Sequence, residues 1–350
     1  MGGRRVMLAA RRPIGRGTAT LVVAEIGQNH NGELALAEQL IDAAAWAGAD
    51  AVKVVKRDLA AELSAEARRR QYHGPHAFGS TYGEHRRRLE LSADDHARLA
   101  RRARGHGLLF IATLCDRPSI EVVEPLAPDA LKIASRDLTN LPLVADLASR
   151  GRPLLVSTGM SGFDEIDAAV AVVRAQGAPH VLLHCTSLYP TPPSEAHLRS
   201  IPALARRYRV PVGFSDHTTG THLALAAVAL GAVVVEKHLT LDRRMKGTDH
   251  ACSSQPEELR QMIEQIREVE TALGRSDKPL AAAIAPVRTK LGKSLVARCD
   301  LPVGTRLDEA MLDLKCPGDG IGWLQRDRVL GRRLRRSVRA DEKLSIDDLE

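Results

Sequence analysis

The feature that most limits what this chain can fold into is an apolar run of strand length that recurs eight times, with helix-like stretches between. The runs are Leu21–Gly27, Ala51–Lys56, Leu108–Leu114, Ala130–Ser135, Pro153–Thr158, Val181–Thr186, Pro211–Asp216 and Ala232–Leu239. Between them apolar residues recur at helical spacing, as in Leu34–Ala49, Asp94–Gly107, Phe163–Gly177 and Ala196–Tyr208, and Pro256–Gly274 follows the last run. Ser161 or Gly162 supplies a start signal, and Gly48, Gly107 and Gly177 supply stops. Eight strands alternating with helices is the count of a TIM (β/α)8 barrel. A doubly wound sheet usually has fewer strands and a G-x-G-x-x-G turn, which is absent.

With 350 residues, 44% of them hydrophobic, the chain is longer than a barrel needs, so a second small domain is expected. We place the barrel at 1–276, an Ala- and Pro-rich linker at 277–287, and a small domain of short apolar runs and Pro/Gly turns at 288–350. That domain is marginal alone and is expected to pack on something, a second subunit included. Between Arg57 and Leu91 a polar insertion containing Y-H-G-P-H-A-F-G-S-T-Y-G-E-H-R breaks the rhythm, and reads as a long functional connection on the catalytic face.

Other classes are set aside on composition. There is no apolar run of about 20 residues for a membrane span and no secretory signal, so a cytoplasmic location is expected. The cysteines at 115, 185, 252, 299 and 316 form no C-x-x-C pair and read as reduced thiols. The net charge of +7 arises from 50 basic and 43 acidic residues, and only 3% of residues are aromatic, too few to stack on bases. No nucleic-acid partner is expected, whereas an anionic small substrate is.

The stretch from Pro211 to Thr248 carries the chemistry. Two strand-length runs end in His217 and His238, and Thr221 to Ala232 between them has the length of one crossover helix. That is a βαβ unit with an imidazole at the same end of neighbouring strands, the end where parallel barrels do their chemistry. Alternation puts Ser215 with His217 on one face and Glu236 with His238 on one face, leaving Lys237 pointing away. Such a mixed nitrogen and oxygen set suits a divalent metal, Mn2+ or Mg2+, better than a closed zinc site.

Six ordered motifs then carry a resemblance: A-E-I-G-Q-N-H-N-G (24–32), L-K-I-A-S-R-D-L-T-N (131–140), S-T-G-M (157–160), L-H-C-T-S-L-Y-P-T-P (183–192), G-F-S-D-H-T (213–218) and V-E-K-H (235–238). They resemble the N-acetylneuraminate (sialic acid) synthase family, and Lys293 to Trp323 resembles that family's C-terminal antifreeze-like domain. The resemblance implies a metal-dependent condensation of phosphoenolpyruvate with an amino-sugar aldehyde, giving a nonulosonic 2-keto acid and phosphate, in a domain-swapped homodimer. By the same resemblance Lys53 and Lys132 are the cations for phosphoenolpyruvate and Glu25 is the catalytic glutamate. Thr113, Ser135, Ser157, Tyr189 and Ser215 are hydrogen-bond donors to substrate, and Asp249 is the sugar-hydroxyl contact. Asn29 and His30 are placed in the first loop, as site-lining or turn-capping residues.

The chain departs from the family on the acceptor side. Val54, Val55, Lys56 and Arg57 follow Lys53 where relatives have an aromatic and a glutamine, Ser187 replaces an asparagine, and Cys316 replaces an arginine that contacts the sugar's N-acetyl group. Lys56, Arg57 and Arg86 are candidates to meet the acceptor instead. The alternatives are a synthase of the same kind using a different aldose, and a Schiff-base aldolase with Lys132 as its amine. A metal-dependent isomerase or hydrolase would use the same histidines without releasing phosphate. A sugar- or ice-binding protein would not require lysines and histidines at a barrel mouth.

Overall fold

The computed structural model describes residues 5–8 and 12–350, which fall into two compact units, Met1–Gly274 and Arg275–Glu350. The first opens with a short antiparallel hairpin, β1 (Val6–Leu8) against β2 (Arg12–Ile14). Eight parallel strands follow: β3 (Leu21–Glu25), β4 (Ala51–Lys56), β5 (Leu109–Leu114), β6 (Ala130–Ile133), β7 (Leu154–Ser157), β8 (His180–His184), β9 (Val212–Asp216) and β10 (Val234–His238). They form a closed barrel in chain order, with β10 pairing back onto β3. This is the (β/α)8 architecture that the eight runs predict.

Strand alternation divides the apolar residues into two bodies. Outward residues such as Val22, Val52, Phe110, Leu131 and Val235 join the helices in the main core. Inward ones, among them Leu21, Val23, Ala51, Ile111, Ala130, Leu155, Val181, Leu183 and Val234, form a separate cluster with Val6, Leu8 and Ile14 of the hairpin. The hairpin therefore plugs the N-terminal end of the barrel, and the lower lumen is filled by apolar side chains. Gly213 is inward in this layer, where an added Cβ would lie 2.6 Å from both Leu183 and Val234, so only glycine fits. One step toward the C-terminal ends, the inward positions turn polar: Glu25, Lys53, Thr113, Lys132, Ser157, Ser215 and Glu236.

Helices cover the barrel at Leu34–Ala47, Ala93–Gly105, Phe163–Ala175, Ser200–Tyr208, His222–Ala229 and Pro256–Leu273, where the spacing predicts them. Gly48 ends the first in the left-handed conformation, φ 84°. Two shorter helices, Arg117–Val123 and Leu141–Ser149, complete the set. The polar insertion is built rather than loose. It holds helices Leu59–Glu62, Ala65–Arg69 and Tyr82–Arg88, the last started by a capping box between Thr81 and Glu84.

The second unit has its own small core of Leu295, Ala297, Leu301, Leu307, Leu312, Ile321, Val329, Leu334, Val338, Leu344 and Leu349. Its sheet pairs β11 (Ser294–Ala297) antiparallel with β12 (Leu312–Lys315). The stretch expected as a plain linker carries a 3-10 turn at Ala282–Ile284 and a helix at Ala285–Leu291.

Candidate active site

The mouth of the barrel is organised around one carboxylate. Glu236 Oε1 lies 3.3 Å from Lys132 Nζ and 3.5 Å from Lys53 Nζ, and accepts a hydrogen bond from Ser215 Oγ at 2.8 Å. Lys53 is also ion-paired with Glu25 and donates to Thr113 Oγ1 at 3.1 Å. Glu25, Lys53, Lys132 and Glu236 are each at most 4% exposed, so two ammoniums and two carboxyls share one desolvated site. Each lysine meets an acid because a buried ammonium without one is costly.

Burial and neighbours push these four groups apart. Burial raises the Glu25 carboxyl, with the Lys53 ammonium opposing, so Glu25 is the acid readiest to carry a proton. Burial also works on Glu236 in that direction, but Lys132 and Lys53 outweigh it and hold this carboxyl well below its ordinary range. Lys53 feels burial against its charge, yet Glu236 and Glu25 prevail and keep it protonated. For Lys132 burial prevails and lowers the ammonium, Glu236 compensating only in part.

Beside this group lies a set of small donors. Gly159 N donates to Ser135 Oγ at 3.0 Å, and Ser135 Oγ is 3.1 Å from Cys185 Sγ. A Cβ on Gly159 would stand 2.6 Å from Cys185 Sγ, 2.9 Å from Ser187 Oγ and 3.0 Å from Ser135 Oγ, so the backbone itself is held against these groups. Ser157 Oγ is buried with no hydrogen-bond partner. A buried hydroxyl left bare in the same inward layer as Lys53 and Lys132 is what an anion would satisfy. Gly159 and Cys185 were not among the expected site residues, although both stand inside quoted motifs; the glycine after a strand end was the available signal.

His217 follows β9 directly and His238 ends β10, at the same end of neighbouring strands as expected, their ring centroids 5.3 Å apart. His217 Nδ1 is 2.8 Å from the Thr186 carbonyl, so that nitrogen carries the proton and Nε2 keeps a free lone pair. His238 Nδ1 is buried without a hydrogen-bond partner, with Asp249 Oδ2 3.9 Å away. Burial lowers both rings to about 4, the neighbouring ring adding to the effect at His217 while Asp249 opposes it at His238. Neutral imidazoles with open lone pairs are what a metal ligand must be. No grouping of three or more His, Cys, Asp or Glu side chains fit to hold a metal occurs among the described residues, so a divalent ion here would take its remaining ligands from water and substrate oxygens.

The remaining expected residues divide. Tyr189 is 44% exposed, its ring 4.2 Å from that of His217 and 5.7 Å from that of His238. Asp249 is buried next to His238 and accepts from Thr248 Oγ1 at 2.7 Å. Asn29 does not face the site freely: its Nδ2 donates to Leu239 O and Ser253 Oγ, both at 2.8 Å, tying the first and last loops together. His30 is buried and accepts from Gly32 N at 3.0 Å, a local turn contact. Cys316 belongs to the second unit, exposed, with Lys293 Nζ 3.2 Å from its sulfur. Lys237 points out of the lumen as alternation predicts, but into a buried pair with Asp216 at 2.9 Å.

Such a mouth, with paired ammoniums, a bare hydroxyl and two open imidazoles on a parallel barrel, defines an enzyme that handles anionic substrates. A model of the NeuB family matches residues 40–278 and a model of the SAF domain matches residues 292–350. The chain is 36% identical over 346 residues to N-acetylneuraminate-9-phosphate synthase of Mus musculus, covering 98% of this chain and 96% of that one. It is also 36% identical over 347 residues to N,N'-diacetyllegionaminic acid synthase of Legionella pneumophila, covering 97% of each. Among solved structures, the N-acetylneuraminic acid synthetase of Leptospira borgpetersenii superposes with a TM-score of 0.73 at 31% identity, over 82% of this chain and 95% of that one. The chain belongs to the NeuB family, as its motifs imply, and is a synthase barrel followed by a SAF, or antifreeze-like, domain.

Proposed function

We propose that this enzyme condenses phosphoenolpyruvate with an amino-sugar aldehyde to give a nonulosonic 2-keto-3-deoxy acid and phosphate. The observation that carries the reading is the buried pair of ammoniums, Lys53 and Lys132, in one inward layer of the barrel with the unpartnered Ser157 hydroxyl. Phosphoenolpyruvate brings a phosphate and a carboxylate; these ammoniums and the Ser135 and Ser157 hydroxyls supply cations and donors for both, while Ser215 and Gly159 N–H are engaged with Glu236 and Ser135. Membership of the NeuB family, with relatives named as synthases of N-acetylneuraminate 9-phosphate and diacetyllegionaminate, supports the same reaction class.

The chemistry then runs in a definite order. C3 of the enol forms a bond to the aldehyde carbon, and Glu25 delivers a proton to the aldehyde oxygen. Burial raises that carboxyl toward the neutral form such a donor needs. C2 is left oxocarbenium-like, facing Glu236, whose negative charge is secured by the two lysines. Water adds at C2 and gives one proton to the Glu25 carboxylate left by the first step; the tetrahedral adduct then collapses to the ketone by breaking the C2–O bond, and phosphate leaves with the bridging oxygen and the C2 hydroxyl's proton. His217 and His238 would hold a divalent metal, Mn2+ or Mg2+, which when bound polarises the aldehyde carbonyl as a Lewis acid. Tyr189 and Asp249, beside these rings, would contact the sugar. Turnover in 18O-labelled water is expected to put label in the keto acid and none in phosphate; labelled phosphate would exclude this order of steps.

One observation favours a second reading. The depressed Lys132 ammonium resembles a Schiff-base amine. Borohydride trapping with pyruvate would mark Lys132 if that reading were right, and leave the protein unmodified if the condensation is.

We also propose that the working form is a homodimer in which the antifreeze-like domain of one chain completes the site of the other. Leu280, Ile284, Val287 and Leu291 are 47–62% exposed, an apolar stripe at helical spacing that a second copy would cover. Light scattering should give twice the chain mass, and removal of residues 287–350 should abolish turnover; a fully active monomer would refute the arrangement.

A further inference from the structure

We propose that Cys185 is a positioning residue: its sulfur holds the Ser135 hydroxyl proton in the free enzyme and yields it to an oxygen of phosphoenolpyruvate when that substrate binds. The inference rests on the condensation reading above and adds to it a residue that acts through another rather than on the substrate.

The turns after three consecutive strands meet at this point. Ser135 opens the turn after β6, Gly159 stands two residues beyond the end of β7, and Cys185 follows β8 directly. Gly159 N donates to Ser135 Oγ at 3.0 Å, and Cys185 Sγ lies 3.1 Å from the same oxygen. Ser135 Oγ has no other partner among the described residues. The contact is built rather than incidental. Cys185 is 4% exposed, and a Cβ on Gly159 would stand 2.6 Å from its sulfur and 3.0 Å from Ser135 Oγ, so the β7 turn packs against both. The lysine of the anion site is close by: Lys132 is three residues before Ser135, and after burial, Glu236 and Lys53, Cys185 is the next group to act on its charge.

A hydroxyl has one proton to give and two lone pairs with which to accept. The Gly159 N–H occupies one lone pair, and the acceptor that the folded chain offers to the proton is sulfur, a weak one. That weakness suits a binding site. A buried donor with no acceptor would cost the free enzyme stability, whereas one tied to an oxygen would resist leaving it. Held by sulfur, the proton is satisfied loosely, and an anionic oxygen, which forms a charge-assisted bond, takes it over. A thiol also donates weakly, so once the hydroxyl has turned to the substrate the S–H can meet the lone pair that then faces it. Cys185 thus serves both states of Ser135, with neither leaving a buried polar group bare.

The test measures phosphoenolpyruvate binding by titration calorimetry, on full-length enzyme with Mn2+ supplied, for the parent, Cys185→Ser and Cys185→Ala. A hydroxyl at this position is the stronger acceptor, so Cys185→Ser is expected to weaken binding roughly 5- to 10-fold. Cys185→Ala offers the proton no competing acceptor and should bind as tightly as the parent or severalfold tighter. A sulfur that only filled space would give the reverse order, because serine keeps most of the volume and alanine leaves a gap. In a Ser135→Ala background both substitutions should become silent, since the proton in question is gone. Should Cys185→Ser not fold by circular dichroism, Cys185→Ala decides alone. Weaker binding in Cys185→Ala than in the parent, or an effect of either substitution that persists without the Ser135 hydroxyl, would overturn the positioning role while leaving the condensation intact. No binding of phosphoenolpyruvate to the parent would strike the condensation itself, and the role of Cys185 with it.

Discussion

At the residue scale the site is a set of charges that hold one another in place, and its substitutions should report that. His217→Ala and His238→Ala each remove an imidazole kept neutral by burial, the free form a metal requires. Each is expected to lower kcat by several orders of magnitude while circular dichroism stays that of the folded barrel, and chelation should silence the unaltered enzyme. Activity that survives both substitutions and chelation would remove the metal from the scheme. Glu236→Gln tests the other half. Glu236 is the partner Lys132 has and one of two that Lys53 has, so its loss leaves buried ammonium charge uncompensated, at a cost of about 3–5 kcal/mol. The variant should melt several degrees lower, yet phosphoenolpyruvate should stabilise it by more than it stabilises the parent, since the ligand now supplies the missing negative charge. A thermal-shift titration with an unchanged ligand response would show that these lysines do not meet that substrate.

At the scale of elements, the turn after β9 is clamped from outside the lumen. Lys237 Nζ donates to Asp216 Oδ2 at 2.9 Å and to Thr218 O at 2.6 Å, while Asp216 Oδ1 accepts from Thr218 N at 2.8 Å and Thr218 Oγ1 at 2.7 Å. His217 stands between Asp216 and Thr218, so the clamp sets its ring direction. Lys237→Met should weaken Mn2+ binding about 10- to 100-fold by calorimetry, the usual effect of losing an outer support, and leave phosphoenolpyruvate affinity near its original value. Unchanged metal affinity would make the clamp structural only. Alternation alone says that Lys237 points away; its partner needs the β9–β10 register, Lys237 opposite Asp216, which no single strand displays. The same division runs through the fold. Eight long apolar runs announce the barrel, because a strand buried on both faces is apolar nearly throughout. The plugging hairpin is silent, since β1 and β2 have three residues each, too few for alternation to show. Helices Arg117–Val123 and Leu141–Ser149 are two turns or a little more and have equally weak periodicity. Lys53, Lys132, Glu25, His217 and His238 are legible as charges at strand ends. Arg86 is legible only as one of three acceptor candidates, with Lys56 and Arg57; that its own partners are the neutral Tyr82 and Gln28, whereas Lys56 and Arg57 meet Glu90, exists only after folding.

At the scale of the whole molecule, the two units should answer acid differently. Histidines are confined to the first: residues 275–350 contain none. In the barrel unit His30, His96, His180 and His184 are buried, and burial lowers each, His30 to about 3, with His96 and Arg57 adding to the effect there. The sign follows from proton counts. Below the ordinary histidine pKa of about 6.5 the unfolded chain binds a proton at each of these rings and the folded barrel does not, so stability falls as pH falls. Each ring contributes up to about 1.4 kcal/mol per pH unit until its own folded pKa is reached. Burial raises Glu25, Glu90 and Asp137, so these groups work the other way, taking up protons in the folded state first. They are outnumbered by the lowered histidines, to which His250 also belongs. Between pH 6.5 and 5, above the range where most carboxylates titrate, slow-exchanging amides of β3–β10 should therefore lose protection in full-length protein. Those of β11, β12 and the core around Leu295 and Val338 should hold theirs once intrinsic exchange is corrected for. Hydrogen exchange read by mass spectrometry separates the two in one sample. Equal loss in both units would mean that they open as one body, and loss in the second alone would mean that histidine burial is not what sets acid stability here.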